Sequence, residues 1–150
     1  MQRVLIIGYG NPMRRDDGLG PHIADMLAER LGDAVQVEAI FQLTPELADP
    51  ISKAARVIFI DASVEGEAGI IKLAGVSANV PTGALTHHFS PAGLLHLAQT
   101  LYGRSAAAQI VTVTGSDFDL GEGFSPAVEA VIPQVVAIIS RMVNRLDTSN

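Results

Sequence analysis

The sequence predicts an α/β fold, a three-layer α/β/α sandwich around a mostly parallel, roughly five-stranded twisted sheet with one antiparallel strand. Two runs, Val4–Ile7 and Val57–Ile60, are wholly apolar, the character of strands covered on both faces. Between such runs lie amphipathic stretches at helical spacing. Three of the predicted helices open on Thr-Pro or Ser-Pro, a capping residue followed by a proline suited to the first helical position.

In chain order, the first strand covers residues 3–7. A glycine-punctuated loop, Gly8-Tyr9-Gly10-Asn11-Pro12-Met13-Arg14-Arg15-Asp16-Asp17-Gly18-Leu19-Gly20, leads into a helix ending at Leu31, with Ile23, Met26, Leu27 and Leu31 on one stripe and Gly32 closing it. Val35–Ala39 alternates as a short strand. Thr44-Pro45 opens a helix to about Ala54, and the strand Val57–Ile60 then ends at Asp61. Gly69–Ala74 is a further strand. The linker before it, with Gly66, is too short for a helical crossover, so it is the antiparallel one. Residues 75–90 read as loop. Ser90-Pro91 opens a helix to Tyr102, Gln109–Thr114 is a strand, and Ser125-Pro126 opens a last helix that Pro133 is expected to kink. The polar tail from Asp147 is expected to fray.

One domain over residues 1–150 is expected at this length. Hydrophobic residues make up 48% and charged residues 17%, which argues against disorder. A net charge of −6 disfavours nucleic acid but would not hinder a metal or a basic peptide. The absence of cysteine removes disulfides, thiolate catalysis and Cys-rich zinc sites. No apolar run is read as a membrane span and no signal-peptide pattern is seen, so a soluble, cytoplasmic protein is expected. The oligomeric state is left open, a monomer included.

In open α/β sheets, ligands sit at the carboxyl ends of parallel strands. Asp16 and Asp17 follow the first strand, Asp61 terminates the central one, His87 and His88 precede a helix, and Asp117 and Asp119 follow the last strand. Paired acids at a helix start would repel a phosphate but suit a cation, or simply the helix dipole. Two carboxylates and an imidazole suit Ni, Zn or Fe(II). Each residue also has a plain alternative: Asp61 as a turn residue, His87 as a loop histidine, Asp16 as a cap. His22 and His96 read as structural, Met13, Met26 and Met142 as core or gap-filling residues, and Arg14 and Arg15 as solvated charges able to neutralise nearby acids. Zinc-protease, nucleophile-elbow and P-loop motifs are absent, and Gly8-x-Gly10 lacks the third glycine of a dinucleotide fingerprint. Glu38 as a ribose-binding acid is correspondingly weak.

Gly8-x-Gly10-Asn11-x4-Asp16-Asp17-Gly18-x-Gly20 resembles the opening motif of the [NiFe]-hydrogenase maturation endopeptidases. The resemblance continues through Phe59-Ile60-Asp61-Ala62, through His87 and the helix after it, and through Gly115-x4-Leu120-x3-Phe124-Ser125-Pro126-x-Val128-Glu129. It implies a nickel-dependent peptidase without a Ser or Cys nucleophile, removing the C-terminal extension of a hydrogenase large-subunit precursor after nickel insertion. It implies Asp17, Asp61 and His87 as both catalytic and metal-engaging residues, with Asp16 and His88 as adjacent rivals. The nickel would be the substrate's own, and no nucleotide would be needed. The segment Ile40–Pro45 departs from the Asp-Gly-Gly-Thr type seen in familiar members. Two other functions compete: a nucleotide- or dinucleotide-binding protein, and a non-catalytic hydrogenase assembly partner.

Overall fold

The computed structural model describes residues 4–78 and 89–148, with side chains described as far as residue 145. Five strands, β1 (Val4–Tyr9), β2 (Gln36–Ile40), β3 (Arg56–Ser63), β4 (Ile71–Val76) and β5 (Ala107–Thr114), form one sheet in the order β2-β1-β3-β5-β4. β2, β1, β3 and β5 run parallel, and β4 runs antiparallel against β5. Four helices cover the sheet: α1 (Leu19–Leu31), α2 (Ala48–Lys53), α3 (Pro91–Tyr102) and α4 (Pro126–Thr148).

The period-two alternation of side chains sorts the apolar strands between two cores. Val4, Ile6, Ile58, Ile60, Val111 and Val113 pack under α1 and α4. Leu5, Ile7, Val57 and Phe59 pack under α2 and α3. Every residue of the two apolar runs is therefore buried, one face or the other. That is why these runs lack the polar alternation of a half-exposed strand.

The chain passes from β1 out to β2 and then back across β1 to β3. The direction of winding reverses between β1 and β3, and a crevice opens outside their carboxyl ends.

Several local expectations change. Asp61 lies inside β3, opposite Thr112, because the β3–β5 ladder continues to Ser63 and Thr114. Thr44 does not cap its helix; its hydroxyl bonds the Glu46 side chain, and the helix begins as a 3₁₀ turn, Pro45–Leu47. Ser90 does cap α3, accepting from the Gly93 amide at 3.0 Å. Helix α4 continues through Pro133 and takes in Asp147 and Thr148 of the polar tail. Met13 is 52% exposed, because the first loop holds it outside either core.

Helix α4 shows that one apolar run does reach the length of a membrane span. Pro126–Arg145 has the length and mean hydropathy, 1.5, of a membrane span. Its apolar face, including Val128, Val135, Ile139 and Val143, is packed into the core with α1 and the sheet, so the apolarity serves the interior.

Candidate functional site

The loop after β1 sits closely on the sheet because three glycines admit it. Gly10 has φ +143°, and a Cβ there would collide with the Asp17 carbonyl. A Cβ on Gly8 would strike the Gly20 carbonyl, and one on Gly20 would lie 2.5 Å from the Ile60 and Tyr9 carbonyl oxygens. The start of α1 thus rests on the ends of β1 and β3. Side chains at residues 16 and 17 are held at that rim.

The two acids of the loop then diverge. Asp16 is fully buried. Its Oδ2 accepts from the Ser116 amide at 2.8 Å, the Asp117 amide at 3.0 Å and the Ser125 hydroxyl at 2.7 Å. Its Oδ1 accepts from the Ser125 amide at 2.8 Å. Burial opposes its charge, but these donors prevail and hold the carboxyl below its usual range. Asp16 is the tie between the first loop and residues 115–125. Around it, Arg15 Nε approaches Asp117 Oδ2 at 3.5 Å, Arg15 Nη1 donates to the Glu122 carbonyl, and Arg14 Nε donates to the Phe118 carbonyl.

Asp17 instead faces a cleft of about 260 Å³ with Tyr9, Gly10, Phe41, Gln42, Leu43, Asp61 and Phe89. Its Oδ2 accepts from the Asn11 amide at 2.8 Å, and Oδ1 has no hydrogen-bond partner among the described residues. Asp61 faces the same cleft because it shares the α2–α3 side of β3 with Phe59. Burial pushes its carboxyl up to about 6. Hydrogen bonds from Tyr9 and from the Ala62 amide, 2.8 Å to Oδ1, oppose that shift, while the charge of Asp17 adds to it. The cleft therefore holds two carboxyl groups, and that of Asp61 is ready to change protonation near neutral pH.

Tyr9 went unassigned on sequence. Its hydroxyl bonds Asp61, and burial, then the Asp61 charge and that bond, push it well above the ordinary tyrosine value. Its signal was position: a tyrosine between two glycines at the carboxyl end of β1. One step past the Gly8–Ile60 pair, it stands beside Asp61.

The other candidates fall elsewhere. Asp117 is engaged with Arg15 and with the Asp119 amide, and Asp119 is exposed. His22 is exposed, its ring 5.1 Å from that of Phe124, and His96 is half-buried on α3. Glu38 lies within β2, outside the Asp17–Asp61 cleft. His87 and His88 lie outside the described residues. Among the described residues, no three metal-ligating side chains converge. Asp17 and Asp61 supply two oxygen donors.

The first loop is poorly made for a phosphate. From Gly10 to Asp17, Pro12 aside, every amide already donates: Gly10 to Ile40, Asn11 to Asp17, Met13 and Arg14 to Asn11, Arg15 to Gly121, Asp16 to Asp117 and Asp17 to Arg14. No amide remains free in that stretch for an anion, and Asp17 faces the cleft instead.

No family model matches the chain, and no curated protein matches it in sequence. Solved structures do. The hydrogenase maturating endopeptidase HybD from E. coli superposes with a TM-score of 0.77 at 22% identity, over 95% of this chain and 93% of that one. The [NiFe] hydrogenase maturation protease HycI from Thermococcus kodakarensis KOD1 gives 0.76 at 20% identity, over 95% and 93%. HybD from Thermococcus kodakarensis, a protein of the same description, gives 0.73 at 24% identity, over 94% and 99%. The chain shares the fold of these proteins over nearly its whole described length.

Proposed function

We propose that the protein is an endopeptidase that removes the C-terminal extension of a [NiFe]-hydrogenase large-subunit precursor after nickel has been inserted. The observation that carries this reading is the meeting of Asp17 and Asp61 in one cleft at the switch point of the sheet. The fold that holds them is shared with hydrogenase maturation endopeptidases over 94–95% of this chain. Nickel is here part of the substrate. Asp17 and Asp61 offer it hard oxygen donors, and His87 is the third residue proposed to engage it.

The chemistry of the chain's own residues fits a hydrolytic step. Asp61, raised to about 6, is a base of suitable strength for taking a proton from water near neutral pH. Tyr9 and the Ala62 amide orient its carboxylate. The Asp17 carboxyl lines the same cleft, where a cationic centre would dock. The metal would supply polarisation of the scissile carbonyl.

Co-expression with the cognate precursor tests the reading. Intact-mass analysis should show tail removal by the unchanged protein and none by Asp17→Ala, Asp61→Ala or His87→Ala variants that keep their circular dichroism. Tail removal undiminished in all three would refute the site.

A further inference from the structure

The free edge of β2 and most of the groove beside it lie outside the Asp17–Asp61 cleft. Among the described residues β2 pairs with β1 alone, so one side of its backbone has no described strand neighbour in the sheet. An edge of this kind accepts an extended polypeptide as an added strand, with affinity from main-chain hydrogen bonds and selectivity from side-chain pockets. The groove, about 400 Å³, is lined by Glu38 and Ile40 of β2, by Phe41 and Gln42 just after it, and by Glu46 and Leu47 of the 3₁₀ turn that precedes α2, among others. Phe41 is 61% exposed, a large apolar ring left for a partner to cover. Among the described residues the lining carries two carboxylates and no Lys, Arg or His. Glu38 and Ile40 are two apart on the strand and share a face.

The groove also shares two lining residues with the cleft. Phe41 and Gln42 line both, so the groove lies next to the cleft that holds Asp17 and Asp61. The opposite edge strand, β4, contributes nothing to the cleft. We propose that this groove and edge bind an extended segment of the precursor's C-terminal tail, with a Lys or Arg side chain of that segment held by Glu38 and Glu46. The assignment rests on the proposed peptidase function and names the feature of the substrate that it selects. β2, Gln36–Ile40, is long enough to pair about five residues of an added strand.

The test uses the full-length protein and a nickel-loaded precursor whose tail contains Lys or Arg. Glu38→Lys/Glu46→Lys should raise KM about tenfold or more while kcat stays within about twofold, because steady binding and not the chemical step is lost. Changing the basic tail residues to Glu should restore the KM of that double variant. A KM that does not move, or a rise that the charge swap fails to rescue, overturns the groove assignment while leaving tail removal by the unchanged protein in place. Hydrogen exchange gives a readout free of catalysis. β2 amides should gain protection when precursor binds the Asp61→Ala variant, and a bound complex with unprotected β2 overturns the assignment. If the unchanged protein leaves the precursor intact, the peptidase function itself fails and the assignment falls with it, a result distinct from both others.

Discussion

Asp16 and Asp17 are neighbours in sequence with opposite tasks, and burial decides which is which. Asp16 is closed from water with four donors around it, so its charge serves folding. A carboxyl held low contributes stability that is fully present above its unfolded value, near 3.8, and is lost as pH falls through the lower folded value. Asp16→Asn should lower stability at pH 7 by roughly 3 kcal/mol, a drop in Tm on the order of 10 °C. Its stability should also fall less than that of the unchanged protein between pH 5 and 2, by urea titration. Asp61 has the reverse sign. Its raised pKa, about 6, means that ionising it costs folding stability as pH rises from near 3.8 through 6. In metal-free protein at pH 7.5, Asp61→Asn should therefore stabilise by roughly 1–3 kcal/mol while abolishing tail removal. Because kcat/KM reports the free enzyme and the nickel arrives with the substrate, its pH profile should fall below about pH 6. Tyr9→Phe removes a bond that favours the Asp61 anion and should move that fall to higher pH. A profile flat to pH 5 would remove Asp61 from the proton-transferring role.

Among elements, the start of α1 matters most to the site. Gly20 lets the helix lie against the Tyr9 and Ile60 carbonyls. Gly20→Ala places a methyl 2.5 Å from backbone that cannot step aside. It should cost about 3 kcal/mol in urea unfolding, and it should lose activity beyond that, since the same shift carries Asp17 away from Asp61. Element existence was readable because both signals were local: fully apolar runs for the buried strands, and glycine or Ser-Pro punctuation for the helices. What was misread depended on neighbours. Asp61 looked like a strand terminus because it is charged, yet the β3–β5 ladder extends past it. Thr44 looked like a cap, but its hydroxyl bonds Glu46. Helix α4 has the composition of a membrane span, and only its packing shows that its apolar face is interior.

At the scale of the whole molecule, the site is a consequence of topology. Reversal of winding between β1 and β3 opens the crevice, the glycines seat the first loop over it, and Asp16 anchors that loop to residues 115–125. Sequence placed Asp17 and Asp61 at one rim, since both follow or end parallel strands, and the two do share a cleft. It could not separate Asp16 from Asp17, because the partners of Asp16 lie about a hundred residues away. Nor could it single out Tyr9, whose role depends on the register of β1 against β3. The central claim is that this cleft reads the nickel of its substrate before the tail is cut. Its most direct test is the intact mass of purified precursor, nickel-loaded or nickel-free, after incubation with the protein. The account predicts loss of the tail from the nickel-loaded precursor alone, and none with Asp61→Ala; equal loss from the nickel-free precursor would contradict it.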